Sequence, residues 1–368
     1  MIIKSLELSD FRNYESLKID FDKGTNILFG DNAQGKTNIL EAIYVSATTK
    51  SHKSSKDKDI INFDKEEAHI RTYIEKDNIE TRVDMHLRSS KSKGIAIDGE
   101  KIKKAAELLG LLNVVFFSPE DLGIIKNGPA ERRRFIDMEL CQLDSFYLYN
   151  LNNYNKIVNQ RNKLLKDIYM NPSLKDTLSI WDSQLVSYGS KIIERRIQFV
   201  NQLNEIINGI HKNLSGGKED LRIVYEPDIT IDEYEKTLSI NQEKDIRLKM
   251  TTVGPHRDDI SFMVKKEGDT KEIDIRKYGS QGQQRTAALS LKLSEIELVR
   301  KVTKDTPVLL LDDVLSELDS NRQNYLLNSI GDIQTIITCT GLDEFVNHRF
   351  SINKVFKVKN GTVEEASN

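Results

Sequence analysis

Cysteine is almost missing from this chain: Cys141 and Cys339 are the only two among 368 residues, and they form no Cys-x-x-Cys pair. Neither a disulfide framework nor a cysteine-held zinc site is therefore expected. Long apolar runs are missing too, since no stretch approaches the about 20 residues that a membrane-spanning helix requires. Met1-Ile2-Ile3-Lys4-Ser5-Leu6-Glu7-Leu8 reads as a strand and lacks the charged head, apolar middle and small-residue cleavage site of a secretory leader, so a cytoplasmic location is expected. No internal repeat or low-complexity tract is evident, and there is no excess of positive charge. The 54 basic and 57 acidic residues leave a net charge of −3, which excludes a uniformly basic nucleic-acid coat but not a local basic groove.

What is present describes a soluble globular chain of two or three domains, 38% hydrophobic and 30% charged. Its most informative segment is Gly30-Asp31-Asn32-Ala33-Gln34-Gly35-Lys36-Thr37. A Gly-x4-Gly-Lys-Thr run lets backbone amides wrap phosphate oxygens, with glycine supplying the backbone angles this needs. Gly30, Asn32, Gly35 and Lys36 are the expected phosphate contacts, and the Thr37 hydroxyl is an expected Mg²⁺ ligand. Thr25–Phe29 reads as the buried strand feeding the loop, and the segment from Asn38 reads as a helix whose positive end faces the anion.

Pro307-Val308-Leu309-Leu310-Leu311 is the apolar run of a strand buried on both faces, and it stops at Asp312-Asp313. Asp312 would hold the Mg²⁺ and its water shell, and Asp313 would polarise the attacking water as the catalytic carboxylate. Between these two motifs, Gly279-Ser280-Gln281-Gly282-Gln283 opens a helix running through Leu298, with Leu289, Leu293 and Ile296 on one stripe. It occupies the place of the signature turn in ABC-type ATPases, where Ser280, Gly282 and Gln283 would contact the γ-phosphate of ATP held by another subunit and Ser280 would share in catalysis. A chain with one half of each cradle implies a dimer closed by two ATPs.

Together with Leu8-Ser9-Asp10-Phe11-Arg12-Asn13-Tyr14 and Gly254-Pro255-His256-Arg257-Asp258-Asp259, these motifs resemble the bacterial RecF family over almost the whole chain. The resemblance implies an α/β fold: an ABC-type ATPase head, with a mixed P-loop sheet and an antiparallel β-subdomain, carrying an inserted α-helical arm. It implies a DNA-repair factor that dimerises on ATP, recognises gapped DNA or duplex and single-strand junctions, and works with RecR and RecO to load RecA. By position it makes Arg12 a phosphate neighbour. It also makes Lys53, Lys56, Lys91 and Lys93, in serine-interleaved runs, DNA phosphate contacts; without it, those runs and Arg132-Arg133-Arg134 read as solvated faces. No histidine follows the last core strand, where transporter relatives have one, so Thr340 is the candidate switch residue and hydrolysis is expected to be slow.

The expected domains are 1–118 and 251–368 for the ATPase lobe and 119–250 for the arm, whose helical pattern breaks near Asn171-Pro172 and has no sustained heptad. His256 reads from its own sequence as a hydrogen-bonded structural group, and the resemblance adds a link between arm and nucleotide. The tail after Gly361 is expected to fray. Two other classes stay open: an ATP-gated protein-interaction module, and, against the missing histidine, a transporter's energy-coupling subunit.

Overall fold

The computed structural model describes residues 1–53, 56–342 and 351–366. Ser54 and Ser55 of the first serine-interleaved run lie outside them. The chain forms two compact units, Met1–Asp121 with Glu295–Asn368, and Leu122–Ser294. The chain enters the first unit through β1 (Ile2–Phe11), β2 (Tyr14–Asp20), β3 (Thr25–Phe29), α1 (Lys36–Thr48), β4 (Glu67–Lys76), β5 (Ile79–Arg88), β6 (Gly94–Ile97), β7 (Glu100–Lys101) and β8 (Val114–Phe117). The second unit holds α2 (Leu122–Lys126), α3 (Pro129–Leu143), α4 (Ser145–Met170), α5 (Leu178–Ser215), β9 (Glu219–Glu226), α6 (Tyr234–Ile240), α7 (Gln242–Leu248), β10 (Asp259–Lys266), β11 (Ile273–Asp274), α8 (Ile275–Tyr278) and most of α9 (Gln281–Thr303). The first unit resumes with β12 (Val308–Asp312), α10 (Ser320–Ser329), β13 (Thr335–Cys339), β14 (Lys354–Lys359) and β15 (Thr362–Glu365).

Two sheets build the first unit. One is antiparallel in the order β2-β1-β4-β5-β6-β7, and its strands alternate: Val83, Met85 and Leu87 of β5 are buried while their neighbours are partly exposed. A hairpin turned at Asp98-Gly99 joins β6 to β7. The other sheet runs β15-β14-β3-β13-β12-β8, parallel except for β15. Every residue of β8, β12 and β13 is buried, which explains the unbroken apolar runs of β8 and of Val308 to Leu311 in β12. Ile39 and Ile43 of α1 join Leu6, Met85 and Leu310 in one core.

The second unit carries the long helices of the arm. On α5, Leu185, Ile192, Phe199, Leu203 and Ile207 recur at helical spacing as its buried stripe, and Gly216 ends the helix in the left-handed conformation (φ 66°). Polar groups also sit inside this unit. Arg196, 2% exposed, donates to Asp258 at 2.8 Å, Asp137 at 2.8 Å, Pro255 O at 2.6 Å and Tyr147 Oη at 3.0 Å. Arg161 pairs likewise with Asp182 at 2.7 Å and Asp245 at 2.6 Å. Arg196→Met leaves Asp258 buried without its cation and should cost about 3–5 kcal/mol of unfolding free energy. Trp181, the sole tryptophan, reports this in a urea titration; a loss below about 1 kcal/mol, the value of an exposed pair, would contradict the assignment.

Two expectations are corrected. Residues 251–294 belong to the second unit and not to the ATPase lobe: β10 pairs with β9 along its whole length, and Ser290 of α9 bonds to His211 of α5. The segment after Gly361 does not fray through Glu365, because β15 pairs with β14. Among the described residues, no helix is long and apolar enough to cross a membrane.

Candidate nucleotide site

The glycine-rich loop connects β3 to α1, and its shape is enforced from outside. Gly35 has φ 109°, and a Cβ there would meet the Asn13 amide at 2.4 Å and the Tyr14 hydroxyl at 2.9 Å. Asn13 donates to Gln34 O at 3.1 Å, Tyr14 donates to Gly35 O at 3.1 Å, and Asn38 donates back to Asn13 at 2.7 Å. On its other side, the β14–β15 turn donates from Asn360 N to Gln34 Oε1 at 2.7 Å, and a Cβ on Gly30 would meet Val358 O at 2.3 Å. Inside this frame Lys36 Nζ donates to Gly30 O at 2.5 Å and to Asp31 O at 2.8 Å. The ammonium is thus held at the loop by neutral carbonyls that phosphate oxygens can replace with a stronger, charge-assisted partner. The side chain of Asn32 is exposed.

Thr37 donates to Asp312 Oδ1 at 2.7 Å, bringing the loop and the end of β12 into one site. Thr338 of β13 donates to the same oxygen at 2.8 Å and accepts from Asp313 N at 3.0 Å, so one hydroxyl braces both aspartates. Asp313 adopts φ 54°, a costly conformation for a non-glycine residue, which the Thr338 bond and a bond from Ser316 Oγ to Asp313 O at 2.8 Å hold in place. Burial raises the Asp313 carboxyl above its ordinary range; the Lys36 charge opposes this and the Asp312 charge adds to it. Thr340, the candidate switch residue, is exposed, whereas Thr338 makes the contact. In the parallel register Thr338 lies opposite Asp312, a pairing that the order of residues does not reveal.

Arg12 is engaged differently from the expectation. Its Nε and Nη2 donate to the two oxygens of the Glu41 carboxylate, each at 2.8 Å, and Nη1 donates to Asp59 O at 2.6 Å. Burial pushes the Glu41 carboxyl up, but the bonds from Arg12 and Ser51 outweigh it and hold it below the usual range. Glu41 sits on α1, so Arg12 braces the helix that carries Lys36 and Thr37.

Ser280, Gly282 and Gln283 belong to the second unit. Ser280 N donates to Gln283 Oε1 at 2.9 Å while Gln283 N donates to Ser280 Oγ at 3.2 Å, a capping box that starts α9. Gly282 and the Ser280 end of the helix are exposed, leaving the serine hydroxyl proton and the first amides for an anion.

The basic residues divide. Lys93 is tied to Asp57 at 2.9 Å and to Thr49 O, and Arg132 and Arg133 bond Asp259 and Asp258 O, so these serve structure. Lys56 and Lys91 are exposed, and Lys53 Nζ stands 3.9 Å from Asp312 Oδ2. His256 has the structural role its sequence suggests, with Nδ1 2.7 Å from Tyr154 Oη and Nε2 3.1 Å from Thr251 O; burial lowers its pKa. Glu67, His69 and His86 place potential metal-ligand atoms within 4.8 Å of one another. Arg88 donates to His86 Nδ1 at 2.8 Å, however, so the ring proton lies on Nε2 and goes to Glu67 at 2.7 Å, and a metal would have to break both bonds.

The RecF/RecN/SMC N terminal domain family matches residues 2–364. The DNA replication and repair proteins RecF of Lachnoclostridium phytofermentans and Agathobacter rectalis are 63% and 65% identical to this chain, each over 99% of it and over 100% and 99% of their own lengths. Among solved structures, the recombination mediator proteins RecF-ATPrS and RecF-ATP in the RecFOR pathway superpose with TM-scores of 0.90 at 35% identity, covering 100% and 99% of this chain and 98% and 97% of theirs. The Smc head domain of Pyrococcus furiosus, at 20% identity and TM-score 0.56 over 99% of this chain and 95% of that one, shares the ABC-type head fold. This match, extending through the nucleotide loop, both aspartates, the arm and the signature turn, places the chain in the bacterial RecF family.

Proposed function

We propose that this protein is an ATP-dependent DNA-binding factor of recombinational repair. ATP closes a homodimer on gapped DNA or on a duplex and single-strand junction, the complex promotes RecA loading with RecR and RecO, and slow hydrolysis resets it. The observation that carries this reading is the Thr37–Asp312 hydrogen bond, which joins the phosphate loop to the paired carboxylates in one site. A hydroxyl and a carboxylate 2.7 Å apart are hard oxygen donors suited to Mg²⁺, with Thr37 a direct ligand and Asp312 holding its water shell. Bound there, Mg²⁺ would neutralise phosphate charge.

The chain's own groups have distinct tasks. Lys36 exchanges two carbonyl partners for phosphate oxygens. Asp313, its carboxyl raised by burial, accepts the proton of the attacking water, and Thr338 fixes its backbone. Ser280 and the first amides of α9 meet the γ-phosphate held by the other copy. Asp313→Asn should slow turnover by about 10²-fold or more. Its melting temperature at pH 7 should rise. An acid with a raised folded pKa contributes stability fully below its unfolded value of 3.8 and loses it as pH rises through the folded value, and an amide avoids that loss. Unchanged turnover in a phosphate-release assay would remove Asp313 from the catalytic role.

Anisotropy of a labelled gapped duplex at fixed salt tests the DNA reading. Tight binding with ATP only, weakening steeply as salt rises, supports it. The engagement of Lys93 and Arg132 within the chain, with a net charge of −3, favours a second reading, an ATP-gated protein-interaction module. DNA binding that is weak and indifferent to nucleotide would decide for that one.

A further inference from the structure

The capping box at Ser280 depends on which way one carboxamide faces. Gln283 can cap Ser280 N–H only with its oxygen, so its NH₂ must be held elsewhere. Glu219, the first residue of β9, does this: Gln283 Nε2 donates to Glu219 Oε1 at 2.7 Å. A carboxylate only accepts, and therefore admits one orientation of the amide.

Glu219 also lies beside a histidine. Its Oε2 lies 3.5 Å from Nε2 of His211, a fully buried ring near the C-terminal end of α5. On the opposite side of the ring, Nδ1 lies 2.9 Å from Ser290 Oγ of α9. The Ser290 hydroxyl gives its proton to Thr286 O at 2.7 Å, so Nδ1 is the donor in the histidine–serine bond and Nε2 is the nitrogen that faces the carboxylate. One carboxylate thus joins the long arm helix to the turn that opens α9, and every residue of this chain of contacts lies within the second unit.

We infer that Glu219 is a positioning residue of the nucleotide site. It orients the Gln283 carboxamide, which holds the Ser280 turn in the conformation that receives the γ-phosphate from the second copy. This rests on the cross-subunit role proposed above for Ser280.

Full-length Glu219→Ala, Glu219→Gln and Ser280→Arg are compared with the wild type by sedimentation velocity with ATP, by binding of a fluorescent ATP analogue, and by thermal melting. Losing one oriented hydrogen bond should weaken ATP-driven dimerisation of Glu219→Ala about tenfold while nucleotide affinity stays within about twofold. Glutamine keeps the volume of Glu219 but can face Gln283 with either its oxygen or its NH₂, so Glu219→Gln should still dimerise about threefold or more below the wild type, a defect that loss of packing would not give. Wild-type dimerisation by Glu219→Ala or by Glu219→Gln overturns the inference. Dimerisation by Ser280→Arg instead overturns the cross-subunit reading beneath it. Should Glu219→Ala not fold, Gln283→Ala removes the same bond from its partly exposed end: the same loss is expected, and undiminished dimerisation overturns the assignment.

Discussion

Replacing Lys36 with methionine removes nucleotide binding, weakening affinity by about a hundredfold or more, the value of a charge-assisted contact to two phosphate groups. The fold should survive. Lys36 Nζ donates to the carbonyls of Gly30 and Asp31, whereas the loop is shaped by Asn13, Tyr14, Asn360 and the Thr37–Asp312 bond, none of which needs the ammonium. Titration with a fluorescent ATP analogue reads the effect directly. Near-normal affinity would mean that these residues do not cradle phosphate.

Ser280→Arg produces the opposite separation: ATP still binds, but ATP-dependent dimerisation is lost. The phosphate loop belongs to the first unit and the Ser280 turn to the second, so the substitution leaves the Lys36, Thr37 and Asp312 constellation intact. Arginine cannot accept the bond from Gln283 N, and its long side chain fills the space before the helix start. Filling the cradle proposed for a second copy's γ-phosphate should reduce dimer affinity by at least about a hundredfold. Measured together with Lys36→Met, this variant separates binding ATP from closing on it.

Features written in consecutive residues were legible in the sequence. The glycines, Lys36 and Thr37 lie within eight positions, and four apolar residues before Asp312 and Asp313 leave little besides a buried strand. The Ser280-x-x-Gln283 spacing is also local, though its meaning as a reciprocal cap emerges only from the two hydrogen bonds. Contacts that depend on chain return were not legible. Thr338 meets the aspartates because β13 runs beside β12, and a choice between two threonines two positions apart turns on that register. Arg12 finds Glu41 rather than standing free beside phosphate, and Glu219 reaches Gln283 across 64 positions. The second unit's boundary was misplaced for the same reason: β10 returns to pair with β9, so a motif at Gly254 that looks like re-entry into the ATPase lobe closes the arm's own sheet.

Arg12 serves the helix that carries the phosphate-binding lysine. The motif around it marks the start of a RecF-type head, yet its guanidinium here neutralises a carboxylate buried in the helix that carries the phosphate-binding lysine. A cation so placed lets α1 hold Glu41 charged inside the core, an arrangement costly to break from either side.

In the proposed dimer each ATP is completed by a second copy of the chain. Sedimentation velocity of the wild-type protein, with ADP and then with ATP at the same protein concentration, tests it most directly. The expected masses are that of one 42.2 kDa chain with ADP and twice that with ATP. A single chain under both conditions, with ATP demonstrably bound, would contradict it.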